Sequence, residues 1–223
     1  MSSMVQIDSI SAYLAKPEGL GPWPGLIVIH EWWGLDHQTR SIADRLAGRG
    51  YMSVAPDLYD GELAPLGDSD QAALLRGKYA TAAPAKLERI FDSLKIASDC
   101  TGRIGSVGFC FGGRMSLTLG LTRPLNAVIT FYGGGMQQLF DRMESFKAAA
   151  VLGLFGDKDV SIPAGTVQEF DDLLSRLGID HQIIVYPDSG HAFFRDSDPG
   201  AYKPEAAKDA WDRLTKFLAL HLA

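Results

Sequence analysis

A short stretch near the middle of the chain, residues 105–113, constrains the fold more than any other segment. It reads Gly-Ser-Val-Gly-Phe-Cys-Phe-Gly-Gly, with an apolar run before the cysteine and a helix-like pattern after it. Cys110 stands between Gly108 and Gly112, which is the spacing of a nucleophile elbow, G-x-Nu-x-G, with cysteine where serine is usual. Glycines on both sides let neighbouring backbone pass closely, so we predict a strand that turns sharply into a helix.

Such a turn suits Cys110 for attack on an electrophile. The first N–H groups of the following helix have no partner within the helix, and their partial positive charge favours a thiolate and a developing oxyanion. We therefore predict that Cys110 is a catalytic nucleophile. The backbone N–H groups of Phe111 and Trp32 are the predicted oxyanion donors, because the loop that contains Trp32 supplies the second donor in this kind of fold.

The whole chain alternates apolar runs with helical patterns. Near-continuous apolar runs predict strands at residues 25–30, 51–55, 104–109, 127–132, 149–155 and 181–186. Helical patterns lie at 37–47, 70–98, 113–121, 166–177 and 204–222, with Pro84 expected to kink or split the second, and residues 5–16 have room for one or two edge strands. This predicts a single-domain α/β fold over residues 1–223, with a mainly parallel twisted sheet of about seven or eight strands, helices on both faces and no cap domain.

Composition narrows the classes of partner. Of the 223 residues 46% are hydrophobic, which is enough for one substantial core. The net charge is −6 and no Lys/Arg-rich run occurs, so we expect no nucleic-acid partner. No apolar run approaches about 18 residues, no signal peptide is readable, and the two cysteines fall short of a disulfide framework. We expect a cytoplasmic protein that acts on a small molecule, without a membrane, as a monomer or weak homodimer.

A cysteine nucleophile needs a base, and the base needs an orienting acid. His191 follows the last predicted strand in a glycine-containing turn, and the chain order nucleophile, acid, histidine is that of α/β-hydrolases. Asp157 and Asp159 both follow the preceding predicted strand. Spacing alone does not separate them, although the pattern Gly-x-x-Asp-x-x-Ile-Pro favours Asp159. His30 and His37 are the competing histidines, and a satisfied surface-loop histidine is the structural alternative for His191.

Glu31 is the unusual element of the loop after the first long strand. Between His30 and two tryptophans its carboxyl would be partly buried, which raises a pKa and suits proton transfer. A carboxylate bonded to backbone amides is the alternative interpretation. The pair His30-Glu31 does not begin the zinc motif H-E-x-x-H, because Gly34 stands where the second histidine is required, so we predict no metal.

Substrate-binding residues are sought near the same loops. Arg195, four residues past His191, and Arg76 are candidates for binding an anionic group, since a guanidinium suits a carboxylate. Solvated surface charges are the alternative. Trp33 and Phe193 are candidates for pocket walls, although aromatic residues in this number are equally explained as core.

Several short motifs, taken together and in order, resemble the dienelactone hydrolase (carboxymethylenebutenolidase) family. They run from about residue 25 to 218, nearly the whole chain, and read His30-Glu-Trp-Trp-Gly, Ala55-Pro-Asp-Leu-Tyr, Gly108-Phe-Cys-Phe-Gly-Gly, Gly156-Asp-Lys-Asp and Gly190-His-Ala-Phe-Phe-Arg. The resemblance implies a cofactor-free α/β-hydrolase with a triad of Cys110, His191 and Asp159. Family members hydrolyse the enol lactone 4-carboxymethylenebut-2-en-4-olide to maleylacetate during degradation of chlorinated aromatics.

The resemblance also implies roles for further residues. A glutamate at the position of Glu31 bonds the resting thiol and takes part in its activation as substrate binds. Two arginines hold the substrate carboxylate; one maps onto Arg195, and the other falls near Arg76, where the flanking residues match poorly. The largest departure from the characterised lactonase is Trp32-Trp33, where that enzyme has smaller residues.

The sequence thus predicts hydrolysis of an activated ester or lactone through an acyl-enzyme on Cys110. One alternative is a general small carboxylesterase or thioesterase whose substrate lacks the carboxylate. Another is a binding or sensory protein that keeps the fold with little turnover.

Overall fold

The computed structural model describes residues 2–222, and its centre is an eight-stranded, mainly parallel sheet. The order across the sheet is β1-β2-β4-β3-β5-β6-β7-β8. β2 pairs antiparallel with both β1 and β4, and the other pairs are parallel, as predicted from the apolar runs. The strands are β1 (Ser2–Ile7), β2 (Ile10–Ala15), β3 (Trp23–Ile29), β4 (Met52–Pro56), β5 (Cys100–Phe109), β6 (Ala127–Phe131), β7 (Ala150–Gly156) and β8 (Asp180–Tyr186).

The connections are helical, with one difference from prediction. The α-helices are α1 (His37–Ala47), α2 (Ser69–Tyr79), α3 (Ala83–Ile96), α4 (Phe111–Thr122), α5 (Ala164–Arg176) and α6 (Pro204–Leu222). Pro84 splits the predicted helix in two and occupies the second position of α3. A proline fits there because the first N–H groups of a helix have no hydrogen-bond partner within the helix. A 3₁₀ segment, Met136–Ser145, is absent from the prediction, although its buried residues Met136, Leu139 and Met143 recur at spacings of three and four.

The helices cover both faces of the sheet, as predicted. The chain moves from β3 outwards to β4 and then back across β3 to β5. Parallel crossovers are almost always right-handed, so this reversal puts α1 and α3 on opposite faces. α6 lies on the same face as α1, because the guanidinium carbon of Arg45 in α1 is 3.8 Å from a ring centroid of Trp211 in α6. No helix within residues 2–222 has both the length and the hydrophobicity to cross a bilayer.

The reversal at β3 determines where a ligand can bind. The carboxyl ends of β3 and β5 lie side by side at the point where the strand order switches direction, and open α/β sheets bind ligands at such points. The loops after β3, β5, β7 and β8 all leave from this edge of the sheet. The predicted functional residues in these loops are thereby brought to one region.

Candidate active site

The predicted sharp turn between β5 and α4 is present at Cys110. Its backbone has φ +53° and ψ −114°, a strained conformation for a residue with a side chain. A Cβ atom on Gly108 would lie 1.9 Å from the carbonyl oxygen of Gly112, and a Cβ on Gly112 would lie 2.3 Å from that of Ile29. Close backbone approach therefore requires both glycines, and the turn holds Cys110 at the carboxyl edge of the sheet.

His191 and Asp159 meet beside Cys110. Nδ1 of His191 lies 2.6 Å from Oδ2 of Asp159, and the imidazole lies beside Cys110 in the lining of one cavity. The other carboxylate oxygen of Asp159 accepts hydrogen bonds from the backbone N–H and the hydroxyl of Ser161, at 2.9 and 2.6 Å. Because Asp159 is buried, these bonds fix the carboxylate that orients the imidazole.

The charges in this cluster favour a protonated His191. Burial by itself lowers the pKa of His191, but the hydrogen bonds and charges of Asp159 and Cys110 outweigh it and raise the pKa to about 10. For Asp159, burial acts to raise the pKa, but the bond and charge of His191, with the bonds from Ser161, hold it below its ordinary value. At neutral pH an imidazolium therefore faces the Cys110 sulfur, with an ionised carboxylate behind it.

The positions of the side chains distinguish the alternative aspartate and histidine residues that the sequence left open. Asp157 lies 3.2 Å from the ammonium of the exposed Lys158 and not at the imidazole. His30 is fully buried, where its Nε2 accepts a hydrogen bond from the N–H of Leu58 at 3.3 Å. His37 is exposed at the start of α1. Of these candidates, the structure brings only Asp159 and His191 to the cysteine.

Glu31 is part of a buried charged network behind the elbow. Its carboxylate accepts hydrogen bonds from the hydroxyl of Tyr132 and from Nη1 of Arg195, both at 3.1 Å. Burial raises the pKa of Glu31, and the charges of Arg195 and His191 act against that rise. The carboxylate is therefore held by specific side chains, rather than by the backbone amides of the alternative interpretation.

Arg195, a predicted substrate-binding residue, lies in the same buried network as Glu31. Its side chain is 5% exposed, with Nη1 on Glu31 and Nη2 on Asp36. Asp36 is itself fixed, because its other oxygen accepts the N–H of Thr39 and caps α1. With one carboxylate on each side, the guanidinium is committed to the network and does not line the cavity above Cys110.

A cavity of about 650 Å³ opens above the sulfur of Cys110. Trp32 and Phe111 lie at its edge, and the N–H of Phe111 is the first of α4, which the helix cannot satisfy. The predicted Arg76 also lines it, with its guanidinium carbon 5.7 Å from the centroid of a Trp32 ring. The other lining residues are Arg114, Gly134, Gly135, Gln138, Asp159, Val160, Ser161 and His191.

Two of the predicted pocket residues lie elsewhere. Phe193 is fully buried and packs edge-on against Tyr132, with ring centroids 5.5 Å apart. Trp33 is buried as well and packs behind Trp32, at 5.1 Å between centroids. Both belong to the core that supports the site, because the apolar loops that carry them turn inwards after β3 and β8.

Two residues of the site, Arg114 and Ser161, are absent from the predicted set. Arg114 lies four residues after Cys110, and in a helix that begins at the nucleophile this spacing returns to the same side, which is a signal the sequence offers. Ser161 lies two residues after Asp159 and donates its hydroxyl to the Asp159 carboxylate within the same turn. Hydrogen bonds over this spacing are typical of aspartate residues in turns. Tyr132, which follows β6 with a φ of +38°, donates its hydroxyl to Glu31.

No group of three or more His, Cys, Asp or Glu side chains within residues 2–222 is arranged to hold a metal ion. Cys100, the other cysteine, is the buried first residue of β5.

Comparison with known proteins gives a consistent family. The family model described as "Dienelactone hydrolase family" matches residues 10–222. Two curated relatives, both named "Putative carboxymethylenebutenolidase", come from Salmonella typhimurium and Saccharolobus solfataricus. The first is 34% identical, over 96% of this chain and 84% of its own length. The second is 32% identical, over 94% of this chain and 93% of its own length. A crystal structure titled "Putative Dienelactone Hydrolase", from Klebsiella pneumoniae, is similar with a TM-score of 0.84 and 28% identity, covering 98% of each chain.

Proposed function

Since the chain belongs to the dienelactone hydrolase family and is a hydrolase of carboxylic esters, we propose that it cleaves an activated ester or lactone through an acyl-enzyme on Cys110. The observation that carries this proposal is the meeting of Cys110, His191 and Asp159 at the mouth of one cavity. No cofactor enters the proposed reaction, and the substrate is a small molecule.

In the proposed acylation step, the Cys110 thiolate forms a bond to the carbonyl carbon of the substrate. The carbonyl oxygen takes up negative charge and is stabilised by the N–H groups of Trp32 and Phe111. When the tetrahedral intermediate collapses, the bond to the leaving oxygen breaks and a thioester remains. The His191 imidazolium gives its proton to the leaving group, which in a lactone stays attached to the acyl chain.

Deacylation returns every group to its starting state. Neutral His191, oriented by Asp159, takes a proton from water, and the oxygen of that water attacks the thioester. Collapse of the second intermediate releases the carboxylic acid and regenerates the Cys110 thiolate beside an imidazolium. Glu31, buried behind the elbow, is proposed to take part in activating the Cys110 thiol as substrate binds.

The chemistry of sulfur limits the substrates that fit this scheme. A thiolate is a good nucleophile but also a good leaving group, so the intermediate reverts unless the other leaving group is at least as stable. Enolates and phenolates meet this condition, whereas alkoxides and amines do not. An enol lactone such as dienelactone, opening to maleylacetate, is therefore the proposed type of substrate. A general small esterase acting on aryl esters would use the same steps.

The first experiment replaces the nucleophile. We expect Cys110→Ala to lower kcat/KM for p-nitrophenyl acetate and for an enol lactone by about 10³-fold or more. Cys100→Ala is the matched control, since it removes the other, buried thiol, on β5. Full activity of Cys110→Ala would exclude the proposed nucleophile, and absence of turnover in the wild type would favour a binding or sensory role.

A further inference from the structure

Ser161 contacts both the acid and the base of the site. Its hydroxyl donates to Oδ1 of Asp159 at 2.6 Å, and the same hydroxyl oxygen lies 3.2 Å from Nδ1 of His191. Its backbone N–H also donates to Oδ1 of Asp159, at 2.9 Å. A hydroxyl has one proton and two lone pairs, so with its proton on the carboxylate Oγ is free to accept from the Nδ1–H group of His191. The serine therefore bridges the two side chains.

The bridge lies on the exposed side of the contact between His191 and Asp159. The side chain of Asp159 is fully buried and that of His191 is 32% exposed, whereas Ser161 is exposed at the wall of the cavity. The ring of Tyr132 packs against the imidazole, with 5.0 Å between centroids, but its hydroxyl donates to Glu31. The hydrogen-bonding partners of Nδ1 are thus Asp159 and Ser161.

The forces that hold His191 change during the proposed reaction. Before acylation the imidazolium lies between Asp159 and the Cys110 thiolate, and both charges raise the pKa of His191. In the acyl-enzyme the sulfur belongs to a neutral thioester, and His191 has given its proton to the leaving group. Hydrogen bonds of a neutral imidazole are weaker than those of an imidazolium. The orientation of the ring then depends on the bonds at Nδ1, which leave Nε2 to take a proton from water.

We propose that Ser161 is a positioning residue for deacylation, whose hydroxyl holds the Asp159 carboxylate and the neutral His191 imidazole so that Nε2 faces the attacking water. The inference rests on the proposed function, because it concerns one step of that reaction. No atom of Ser161 is transferred, and its proton stays on Oγ throughout. In acylation Ser161 contributes little, since the charges of Asp159 and Cys110 already hold the imidazolium.

Separate measurement of the two steps tests this role. After rapid mixing with p-nitrophenyl acetate, the burst of p-nitrophenolate gives the acylation rate. Decay of the acylated mass, once excess ester is removed, gives the deacylation rate. In Ser161→Ala we expect deacylation to slow by about tenfold or more, the loss of a hydrogen bond to a charged group, and acylation to change by less than about threefold. Ser161→Thr keeps a hydroxyl and should recover most of the deacylation rate.

Ser189→Ala is the matched control. Ser189 lies in the loop before His191, and its hydroxyl donates to the carbonyl oxygen of Pro187 at 3.0 Å. The substitution removes a hydroxyl from the same loop without touching the bridge, so the ratio of the two rates should stay unchanged. An equal loss of both rates in Ser161→Ala, or the same change of ratio in Ser189→Ala, would overturn the assignment.

A measurement without turnover separates this inference from the proposed function. In Cys110→Ala the thiolate charge is gone, as it is in the acyl-enzyme. Proton NMR of this variant, at a pH above the His191 transition, should show the hydrogen-bonded Nδ1–H proton far downfield, and adding Ser161→Ala should broaden it through exchange with water. If no acyl-enzyme forms, the proposed function fails, while broadening in the double variant still supports the bridge. An equally sharp resonance in both proteins, or none in Cys110→Ala, contradicts it.

Discussion

Individual side chains divide into those that face the cavity and those that fix them from behind. Cys110, His191 and Asp159 form a chain of contacts in which each group limits the freedom of the next. Behind them, Arg195 and Glu31 form an ion pair in which both side chains are at most 6% exposed. A buried pair adds little net stability, but loss of one partner leaves an uncompensated charge in the interior.

The His191–Asp159 contact predicts a specific pH dependence. The imidazolium is the proposed proton donor, and its pKa of about 10 means that kcat/KM should fall as pH rises through that value. Asp159→Asn removes the bond and charge that raise this pKa, so the alkaline fall should move to lower pH, by about one to three units. A pH–rate profile with p-nitrophenyl acetate measures the shift. Asp157→Asn, two residues away and paired with Lys158, should leave the fall in place; equal shifts in both variants would contradict the assignment.

Because Arg195 pairs with the buried Glu31, we expect its replacement to lower stability and not only to raise KM. Arg195→Met leaves the carboxylates of Glu31 and Asp36 without the cation that pairs with them, and should lower the free energy of unfolding by about 3 kcal/mol or more. Arg195→Met combined with Glu31→Gln should recover part of that loss, because the buried charge is removed as well. Urea denaturation measures both. If Arg195→Met is as stable as the wild type and raises KM only for anionic esters, the main role of Arg195 is to bind substrate.

Among the elements, the junction of β5 and α4 matters most, because its geometry positions the nucleophile. The strand enters a turn with positive φ, and the helix begins at the next residue, so its unpaired N–H groups surround the sulfur. The sequence predicted this junction well, since paired glycines around a single side chain are a local signal. It did not predict the 3₁₀ segment after β6 that supports Arg114 through Gln138, although the buried residues of that segment, Met136, Leu139 and Met143, recur at helical spacing.

The junction can be tested by adding one carbon. In Gly108→Ala the new Cβ would meet the Gly112 carbonyl oxygen at 1.9 Å, so the turn has to distort, and we expect a loss of about 3 kcal/mol or more together with activity. Gly165→Ala, in the first turn of α5 where a Cβ meets nothing within 4 Å, should instead gain up to about 1 kcal/mol. Urea unfolding compares the two. A Gly108→Ala variant as stable as the wild type would show that the close approach is not required.

At the scale of the whole molecule, the sheet determines which distant residues meet. Strand positions were predictable because the parallel strands inside the sheet, from β3 to β7, are largely buried on both faces and appear as continuous apolar runs. The meeting of Cys110, Asp159 and His191 was predictable from chain order and the shared carboxyl edge. The burial of Arg195 was not, because its partner Asp36 lies 159 residues earlier in the chain, and sequence alone does not show which carboxylates a lone arginine meets.

Acyl transfer is proposed to pass through the Cys110 sulfur, and intact-protein mass spectrometry tests this step most directly. The protein is mixed with an activated aryl ester, quenched in acid during turnover, and digested to locate any added mass. The account predicts one acyl group per chain, bound at Cys110 and absent from Cys110→Ala, while Cys100→Ala is labelled like the wild type. Turnover without any acylated protein, or an acyl group located on another residue, would contradict it.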